Sequence, residues 1–153
     1  MNIGFIGLGV MGRPMASHLI DAGHALSLHR VKEASQALVD KGGKALTSAK
    51  AVAEASDIVI LMLPDTPDVE LVLFGKDGVA EGLSRGKLVI DMSSISPVAT
   101  KDFAQRIEAL GCDYLDAPVS GGEVGAKNAA LTIMVGGRPE VFDRAKPLFD
   151  KMG

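Results

Sequence analysis

The sequence predicts an α/β fold in which a mainly parallel, doubly wound sheet carries helices on both faces. Apolar runs alternate with helical patterns along all 153 residues, and this alternation is typical of strand–helix–strand units. The run from Ile58 to Leu63 is apolar without alternation, which indicates a central strand buried on both faces. No linker-like composition divides the chain, so we expect residues 1–153 to form one domain.

The apolar runs and helical patterns predict six strands and six helices. The strands are expected at residues 3–7, 25–29, 58–63, 87–91, 113–116 and 131–135. The helices are expected at residues 10–22, 32–41, 48–55, 66–73, 97–110 and 139–152.

Several residues mark where these helices start and stop. Thr66-Pro67 and Ser96-Pro97 each pair a hydroxyl N-cap with a proline suited to a first helical turn. Pro147 is expected to kink or divide the last helix. Helix ends before strands or turns are predicted at three glycines, Gly23, Gly42 and Gly111.

A Gly-x-Gly-x-x-Gly run follows the first predicted strand and leads into the first predicted helix. Gly7 is expected to make a tight turn, Gly9 to leave room for a pyrophosphate, and Gly12 to let helix and strand pack closely. The helix presents unpaired backbone N–H groups and its positive dipole end to this turn, which favours a bound anion. The motif in this position predicts a Rossmann-type, dinucleotide-binding domain.

The second predicted strand ends in Leu28-His29-Arg30, where a dinucleotide domain distinguishes its cofactors. No Asp or Glu stands at that tip to bond a ribose 2′-hydroxyl and repel a 2′-phosphate. The planar guanidinium of Arg30 can pair with such a phosphate. The sequence therefore predicts NAD or NADP as cofactor, with NADPH favoured or at least tolerated; the alternative is that Arg30 is a solvated surface charge.

Two further segments follow predicted strands at the sheet edge where ligands bind in open α/β folds. Leu63-Pro64 closes one strand, and its proline would stiffen a ligand-facing wall; an ordinary strand-to-helix turn is the alternative. In the segment from Asp91 to Pro97, Ser94 is expected to point into the crevice, whereas Ser96 is expected only to cap a helix.

The segment from Asp116 to Gly122 offers a hydroxyl and consecutive unobstructed backbone N–H groups at Ser120, Gly121 and Gly122. Such a group suits a small carboxylate, and the alternative is a glycine hairpin turn. A serine hydrolase is excluded, because Ser120 has no Gly two residues before it and no His follows it in the chain.

The composition of the chain argues against several classes of binding partner and site. A formal net charge of −3 and an aromatic content of 4% provide neither the basic surface nor the stacking platforms of a nucleic-acid binder. The single cysteine, Cys112, is expected beside a strand as a small buried residue, and it permits neither an intramolecular disulfide nor a multi-cysteine metal site. No basic leader or apolar run of about 18 residues is present, so a cytoplasmic protein without a membrane segment is expected.

Taken in order, the motifs resemble those of the β-hydroxyacid dehydrogenases over the whole chain. The matching segments are Gly7 to Gly12, Met62-Leu63-Pro64, Asp91-Met92-Ser93-Ser94 and Asp116 to Gly122. The resemblance implies that the pyrophosphate is held by Gly7, Leu8, Gly9, Val10, Met11 and Gly12. It further implies that Arg30 contacts the adenosine ribose and that Ser94 contacts the nicotinamide ribose, while Leu63 and Pro64 border the span from adenine to nicotinamide. The substrate is then bound by Ser120, Gly121 and Gly122.

The resemblance also implies hydride transfer between a nicotinamide and a β-hydroxy acid or its aldehyde. The family's general acid is a lysine in a Gly-x-x-x-Lys-x-x-Asn block that leads into a second, all-helical domain. No such block occurs in residues 1–153, so we expect no catalytic residue in this chain and negligible turnover without the rest of a longer polypeptide.

Finer details favour one reaction within that family. The segments Val72 to Gly75, Asp91 to Pro97 and Asp113 to Asp116 resemble those of reductases that convert 2-hydroxy-3-oxopropanoate to glycerate. A 3-hydroxyisobutyrate-type dehydrogenase and a freestanding nucleotide-binding module that does no chemistry remain alternatives. The oligomeric state stays open, and a homo-oligomer is among the states that the resemblance allows.

Overall fold

The computed structural model describes residues 1–153 and contains a central sheet of six parallel strands. In chain order these are β1 (Asn2–Ile6), β2 (Ala25–His29), β3 (Lys44–Ala45), β4 (Ile58–Leu61), β5 (Leu88–Asp91) and β6 (Asp113–Asp116). Their spatial order is β3-β2-β1-β4-β5-β6, and every neighbouring pair is parallel. The strand order reverses at β1, so a ligand crevice is expected outside the carboxyl ends of β1 and its neighbours.

Helices cover both faces of this sheet, as predicted. They are α1 (Gly12–Asp21), α2 (Gln36–Asp40), α3 (Ala49–Ala55), α4 (Thr66–Phe74), α5 (Val79–Gly82), α6 (Pro97–Glu108), α7 (Gly122–Lys127) and α8 (Pro139–Met152). A cluster of 22 buried apolar residues packs α1, α2, α7 and α8 on one face. A second cluster of 14 packs α3, α4, α5 and α6 on the other. None of these helices is long and apolar enough to cross a membrane.

Strand β4 shows why its sequence is apolar without alternation. Ile58 and Ile60 enter the first cluster, whereas Val59 and Leu61 enter the second. Successive side chains point to opposite faces of a strand, and here helices cover both faces. The prediction of a central strand from Ile58 onward is therefore confirmed, although the strand ends at Leu61.

The run at residues 131–135 does not join the main sheet as a parallel strand. Only Thr132–Ile133 is extended, as β8, and it pairs antiparallel with β7 (Val119–Ser120). The chain leaves β6, forms β7 and the short helix α7, and then returns beside its own path. An antiparallel bridge between Asp116 and Gly136 continues this return.

Several local predictions also need correction. The N-cap of α4 is Asp65, whose side chain accepts a hydrogen bond from the Thr66 N–H at 2.7 Å, so Thr66 is the first helical residue. The helix expected at 32–41 is a 3₁₀ turn, Glu33–Ser35, followed by α2. Pro147 does not divide α8, which is one helix of 14 residues. Pro147 is exposed, and the packing of the opposite, apolar face holds the helix together.

Other local predictions are confirmed. Ser96 caps α6 by accepting a hydrogen bond from the Ala99 N–H. Positive φ angles of 94°, 113° and 80° follow α1, α2 and α6 at Gly23, Gly42 and Gly111. The elements that sequence analysis missed are all short: β3, α5, β7 and α7 have two to six residues each.

Candidate cofactor site

The glycine loop between β1 and α1 has the shape that its sequence predicts. Gly7 has a φ of +106°, and a Cβ on it would collide with the carbonyl oxygen of Met62. A Cβ on Gly12 would collide with the carbonyl oxygen of Gly7, so α1 approaches the turn closely. A Cβ on Gly9 would meet nothing within 4 Å. The loop thus turns tightly at Gly7, packs closely at Gly12 and leaves open space at Gly9.

The same loop carries backbone donors that have no protein acceptor. None of the backbone N–H groups from Leu8 to Gly12 donates a hydrogen bond to a backbone carbonyl. Intrahelical bonding resumes only where the Arg13 N–H donates to the Gly9 carbonyl at 3.0 Å. These free donors lie at the N-terminus of α1, where the helix dipole is positive. The arrangement is chemically suited to an anion such as a diphosphate.

A cleft of about 680 Å³, here called the main cleft, opens beside this loop. Its size falls within the roughly 300–1,000 Å³ typical of small-molecule sites. It extends from the loop to the tip of β2 on one side and to α4 and the segment that follows it on the other. The predicted site residues that line it are Gly7, Leu8, Gly9, Arg30, Leu63 and Pro64.

The other predicted site residues lie outside the main cleft. Val10 is 51% exposed on the loop, Met11 packs against the first apolar cluster, and Gly12 is buried at the start of α1. Ser94 is exposed beyond the end of β5. Their roles toward a cofactor remain predictions.

Basic side chains that sequence analysis did not select join Arg30 around the main cleft. They are Arg13, Lys32 and Lys76, and the carboxylates on the lining are those of Asp68 and Asp77. Lys32 lies two residues beyond Arg30, so the strand-tip argument could have included it. Lys76 follows α4, more than forty residues further along the chain, and only the fold brings it to the cleft.

Leu63 and Pro64, here called the Leu63–Pro64 wall, are held by a neighbouring serine. The backbone N–H of Leu63 donates a hydrogen bond of 2.8 Å to the hydroxyl oxygen of Ser93. Ser93 is completely buried, whereas the adjacent Ser94 is exposed. Sequence analysis selected Ser94 from this pair and did not identify the structural role of Ser93.

A buried carboxylate lies behind Ser93. Asp91, the last residue of β5, is completely buried, and its two oxygens accept hydrogen bonds from the Ser93 N–H at 2.9 Å and from the Tyr114 hydroxyl at 3.2 Å. Burial raises the pKa of Asp91, and the charge of Asp116 adds to this effect, while the hydrogen bonds from Ser93 and Tyr114 oppose it. Burial and the charge of Asp91 raise the pKa of the Tyr114 hydroxyl.

The Ser120, Gly121 and Gly122 segment forms a strand-to-helix junction. Ser120 ends β7 and is paired with Thr132 across the small sheet. Gly121 is the N-cap of α7 with a φ of 132°, and Gly122 begins that helix with a φ of 63°. The alternative of a glycine hairpin turn is therefore wrong, because the two glycines lead into a helix. All three residues are exposed and lie outside the main cleft, and their contact with substrate remains a prediction.

Two other residues have structural contacts. The Nε2 atom of His18 lies 2.8 Å from the Ala126 carbonyl, which joins α1 to α7. Cys112 is buried immediately before β6, and its thiol donates a hydrogen bond to the Ser84 carbonyl. Its predicted role as a small buried residue is confirmed.

A doubly wound parallel sheet with an open glycine loop at its switch point defines a dinucleotide-binding domain. Residues 2–153 match the family described as the NAD binding domain of 6-phosphogluconate dehydrogenase, and the chain belongs to this family. This match confirms the prediction of an NAD-binding domain of the β-hydroxyacid dehydrogenase family, which the motifs indicated.

The known proteins to which this chain is similar are named for different substrates. The 2-hydroxy-3-oxopropionate reductase of Escherichia coli is 52% identical over 153 residues, which are all of this chain and 52% of that protein. The NAD-dependent L-serine dehydrogenase of Pseudomonas aeruginosa is 41% identical, over 99% of this chain and 51% of that protein. A solved structure of the 3-hydroxyisobutyrate dehydrogenase of Mycobacterium tuberculosis with L-serine is 35% identical with a TM-score of 0.90, over 99% and 51% of the two chains. The chain spans about half the length of the curated relatives it matches.

Proposed function

We propose that this chain is the cofactor-binding half of an oxidoreductase that reduces 2-hydroxy-3-oxopropanoate to glycerate with NAD(P)H. The observation that carries the proposal is the row of free backbone N–H groups from Leu8 to Gly12 beside the main cleft. The 52% identity to the Escherichia coli reductase supports the choice of substrate.

In this proposal the dinucleotide lies along the main cleft. Its diphosphate accepts hydrogen bonds from the glycine loop, because those donors are unpaired and lie at the positive end of α1. Arg30 contacts the adenosine ribose, and the Leu63–Pro64 wall borders the span from adenine to nicotinamide. Ser94, which follows β5 at the carboxyl edge of the sheet, bonds the nicotinamide ribose in this proposal.

The charges of the main cleft favour NADPH or at least tolerate it. Arg30 and Lys32 both line the cleft near the tip of β2. No carboxylate from that tip lines it, and the two lining carboxylates, Asp68 and Asp77, come from α4 and the segment after it. A 2′-phosphate would therefore find cations and no acidic competitor at this end.

The substrate site and the acid catalyst belong to the larger protein in this proposal. The bound nicotinamide supplies the hydride, and Ser120, Gly121 and Gly122 bind the substrate carboxylate through the hydroxyl and unobstructed N–H groups. The family's Lys block would come from an all-helical C-terminal domain. A positioned general acid contributes about 10²–10⁴ in rate, so residues 1–153 alone are expected to show negligible turnover.

Isothermal titration of the 153-residue chain with NADH and with NADPH tests the cofactor half of the proposal. Saturable heat is expected with at least one of the two nucleotides. The absence of heat with both at millimolar concentration, using protein shown to be folded by circular dichroism, would overturn the proposal.

The choice of reaction is tested on the full-length protein. We expect a higher kcat/KM for 2-hydroxy-3-oxopropanoate than for the aldehyde derived from 3-hydroxyisobutyrate. The reverse order would favour the second candidate, a 3-hydroxyisobutyrate-type dehydrogenase, which the 35% identity to the Mycobacterium tuberculosis enzyme supports.

The gene sequence after codon 153 distinguishes both of these enzymes from a freestanding nucleotide-binding module. A downstream Gly-x-x-x-Lys-x-x-Asn block supports the enzymes, whereas an immediate stop codon supports the module.

A further inference from the structure

A chain of hydrogen bonds joins the buried interior of the sheet to the Leu63–Pro64 wall. It starts at the Tyr114 hydroxyl on β6, passes through the Asp91 carboxylate on β5 and the Ser93 backbone, and ends where the Ser93 hydroxyl accepts from the Leu63 N–H. Its three bonds measure 3.2, 2.9 and 2.8 Å, all within normal hydrogen-bonding range.

An ionisable group at this position is costly for the fold. Asp91 has no exposed surface and lies on the same side of β5 as Val89, which belongs to the second apolar cluster. Burying a carboxylate is unfavourable unless hydrogen bonds compensate it. The compensating donors are Ser93 and Tyr114, and the charge of Asp116, which pairs with Asp91 at the end of β6, raises the pKa of Asp91 further. The main cleft does not include Asp91, so direct cofactor contact does not account for this residue.

The segment that this chain of bonds supports has few other ties. Met62 is fixed to β1, because its N–H donates to the Ile6 carbonyl at 2.9 Å and its carbonyl abuts Gly7. Leu63 follows beyond the end of β4, and its N–H has Ser93 as its partner. Pro64 has no N–H to donate. Ser93 is therefore the polar contact that fixes the backbone of the Leu63–Pro64 wall against the sheet.

From this geometry we infer that Asp91 is a positioning residue for cofactor binding. It orients Ser93, and Ser93 holds the Leu63–Pro64 wall opposite the glycine loop before the cofactor arrives. Without this connection the wall must lose conformational freedom when the cofactor binds, which weakens affinity. The inference rests on the proposed function, since it assigns a role to a residue behind the same site.

Variants of the 153-residue chain test the inference through intrinsic cofactor affinity. Asp91→Asn keeps the side-chain volume but removes one acceptor oxygen, and Ser93→Ala removes the acceptor of the Leu63 N–H. Each is expected to raise the Kd for the preferred nucleotide about tenfold, the effect of losing roughly one hydrogen bond. The double variant is expected to bind no more weakly than the weaker single variant, because both act through one connection.

The control variant is Val89→Ala, which removes buried side-chain volume from the same strand without touching the hydrogen bonds. All titrations are made at a temperature where each variant is folded, so that global destabilisation alone does not alter Kd. Val89→Ala is expected to bind within about twofold of the wild type, because cavity effects act on the folding equilibrium.

Amide hydrogen exchange at Leu63 in the cofactor-free protein provides a second measurement. Asp91→Asn and Ser93→Ala are expected to accelerate this exchange, and Val89→Ala is not. Unchanged Kd in both test variants, equal weakening in Val89→Ala, or unchanged Leu63 exchange in Ser93→Ala would each overturn the positioning role. If the wild-type chain binds neither nucleotide, the proposed function and the positioning role both fail. If the wild type binds but the variants behave as just described, only the positioning role fails.

Discussion

The three glycines of the loop, Gly7, Gly9 and Gly12, have different surroundings. The surroundings distinguish the glycines that the fold requires from the one that ligand binding requires. Gly7 and Gly12 are needed by the fold, because a side chain at either position would meet a backbone carbonyl oxygen. Gly9 faces open space and has no positive φ. Its lack of a side chain is therefore useful only to something that approaches from outside.

Gly9→Ala is predicted to weaken cofactor binding without weakening the fold. A Cβ at position 9 meets no protein atom within 4 Å, so we expect the free energy of unfolding to change by less than about 0.5 kcal/mol. The Cβ would occupy space assigned to the diphosphate, so the Kd for NAD(P)H should rise. Urea denaturation and calorimetric titration measure the two effects. Gly12→Ala is the matched comparison, since it should lose stability as well; equal stability losses in the two variants would contradict the assignment.

Arg30→Ala is predicted to weaken NADPH binding more than NADH binding, by about 1–3 kcal/mol, the range for charge-assisted hydrogen bonds. Arg30 lines the main cleft at the end of β2, where only NADPH would present a phosphate. Parallel titrations with both nucleotides measure the difference. Arg85→Ala, an exposed arginine outside the cleft, serves as the control. Equal weakening of both nucleotides by Arg30→Ala would refute the proposed phosphate contact.

At the scale of elements, each helix is held in place mainly by the apolar residues it contributes to one of the two clusters. Helix α8 illustrates this. It buries Val141, Ala145, Leu148, Phe149 and Met152 and continues unbroken past Pro147. Packing energy therefore outweighs the local cost of a proline inside the helix.

Pro147→Ala is accordingly predicted to stabilise the protein. Proline in a helix interior is disfavoured by up to about 3 kcal/mol relative to alanine, since it removes a backbone hydrogen bond. Pro147 is exposed, so the substitution leaves no cavity, and a gain of about 1–3 kcal/mol is expected after the loss of proline's rigidity in the unfolded state. Thermal and urea denaturation measure it. Lys151→Ala in the same helix is the control, and a destabilised Pro147→Ala variant would show that the proline has a role in packing.

At the scale of the whole molecule, the buried carboxylate of Asp91 makes stability depend on pH. Its folded-state pKa is raised above the ordinary value, mainly by burial. Above the unfolded pKa of about 3.9, the folded state therefore holds a proton more strongly than the unfolded state does. Stability from this group consequently falls as pH rises from about 4 through the raised pKa.

The comparison of wild type with Asp91→Asn isolates this effect, because the variant lacks the titrating group. The stability of the wild type relative to the variant is predicted to decrease as pH rises from about 4 toward 8. Urea denaturation at intervals across this range provides the measurement. A constant or increasing difference would contradict the raised pKa. Asp116, whose pKa is also raised by burial, is present in both proteins. Its contribution to the pH dependence of stability therefore cancels to first order in the difference between them.

The sequence alone was sufficient for the parts of this protein that depend on local pattern. Buried strands such as β4 are apolar because both of their faces are covered. The spacing of Gly7, Gly9 and Gly12 depends only on a tight turn and on the start of the helix that follows it. The fold class, the positions of six of the eight helices and five of the six main-sheet strands were therefore predictable. The sixth, β3, has two residues, too few to show a periodic pattern.

Tertiary structure alone decided which residues from distant segments meet. It brought Lys76 to the main cleft, turned the run at residues 131–135 into an antiparallel partner of β7, and placed Ser93 rather than Ser94 against Leu63. A single sequence gives no distance between segments a dozen or more residues apart, because that distance is set by strand order and by which side chain a pleat turns inward. The local motifs specify where a cofactor can bind, and long-range packing determines which side chains hold that site in shape.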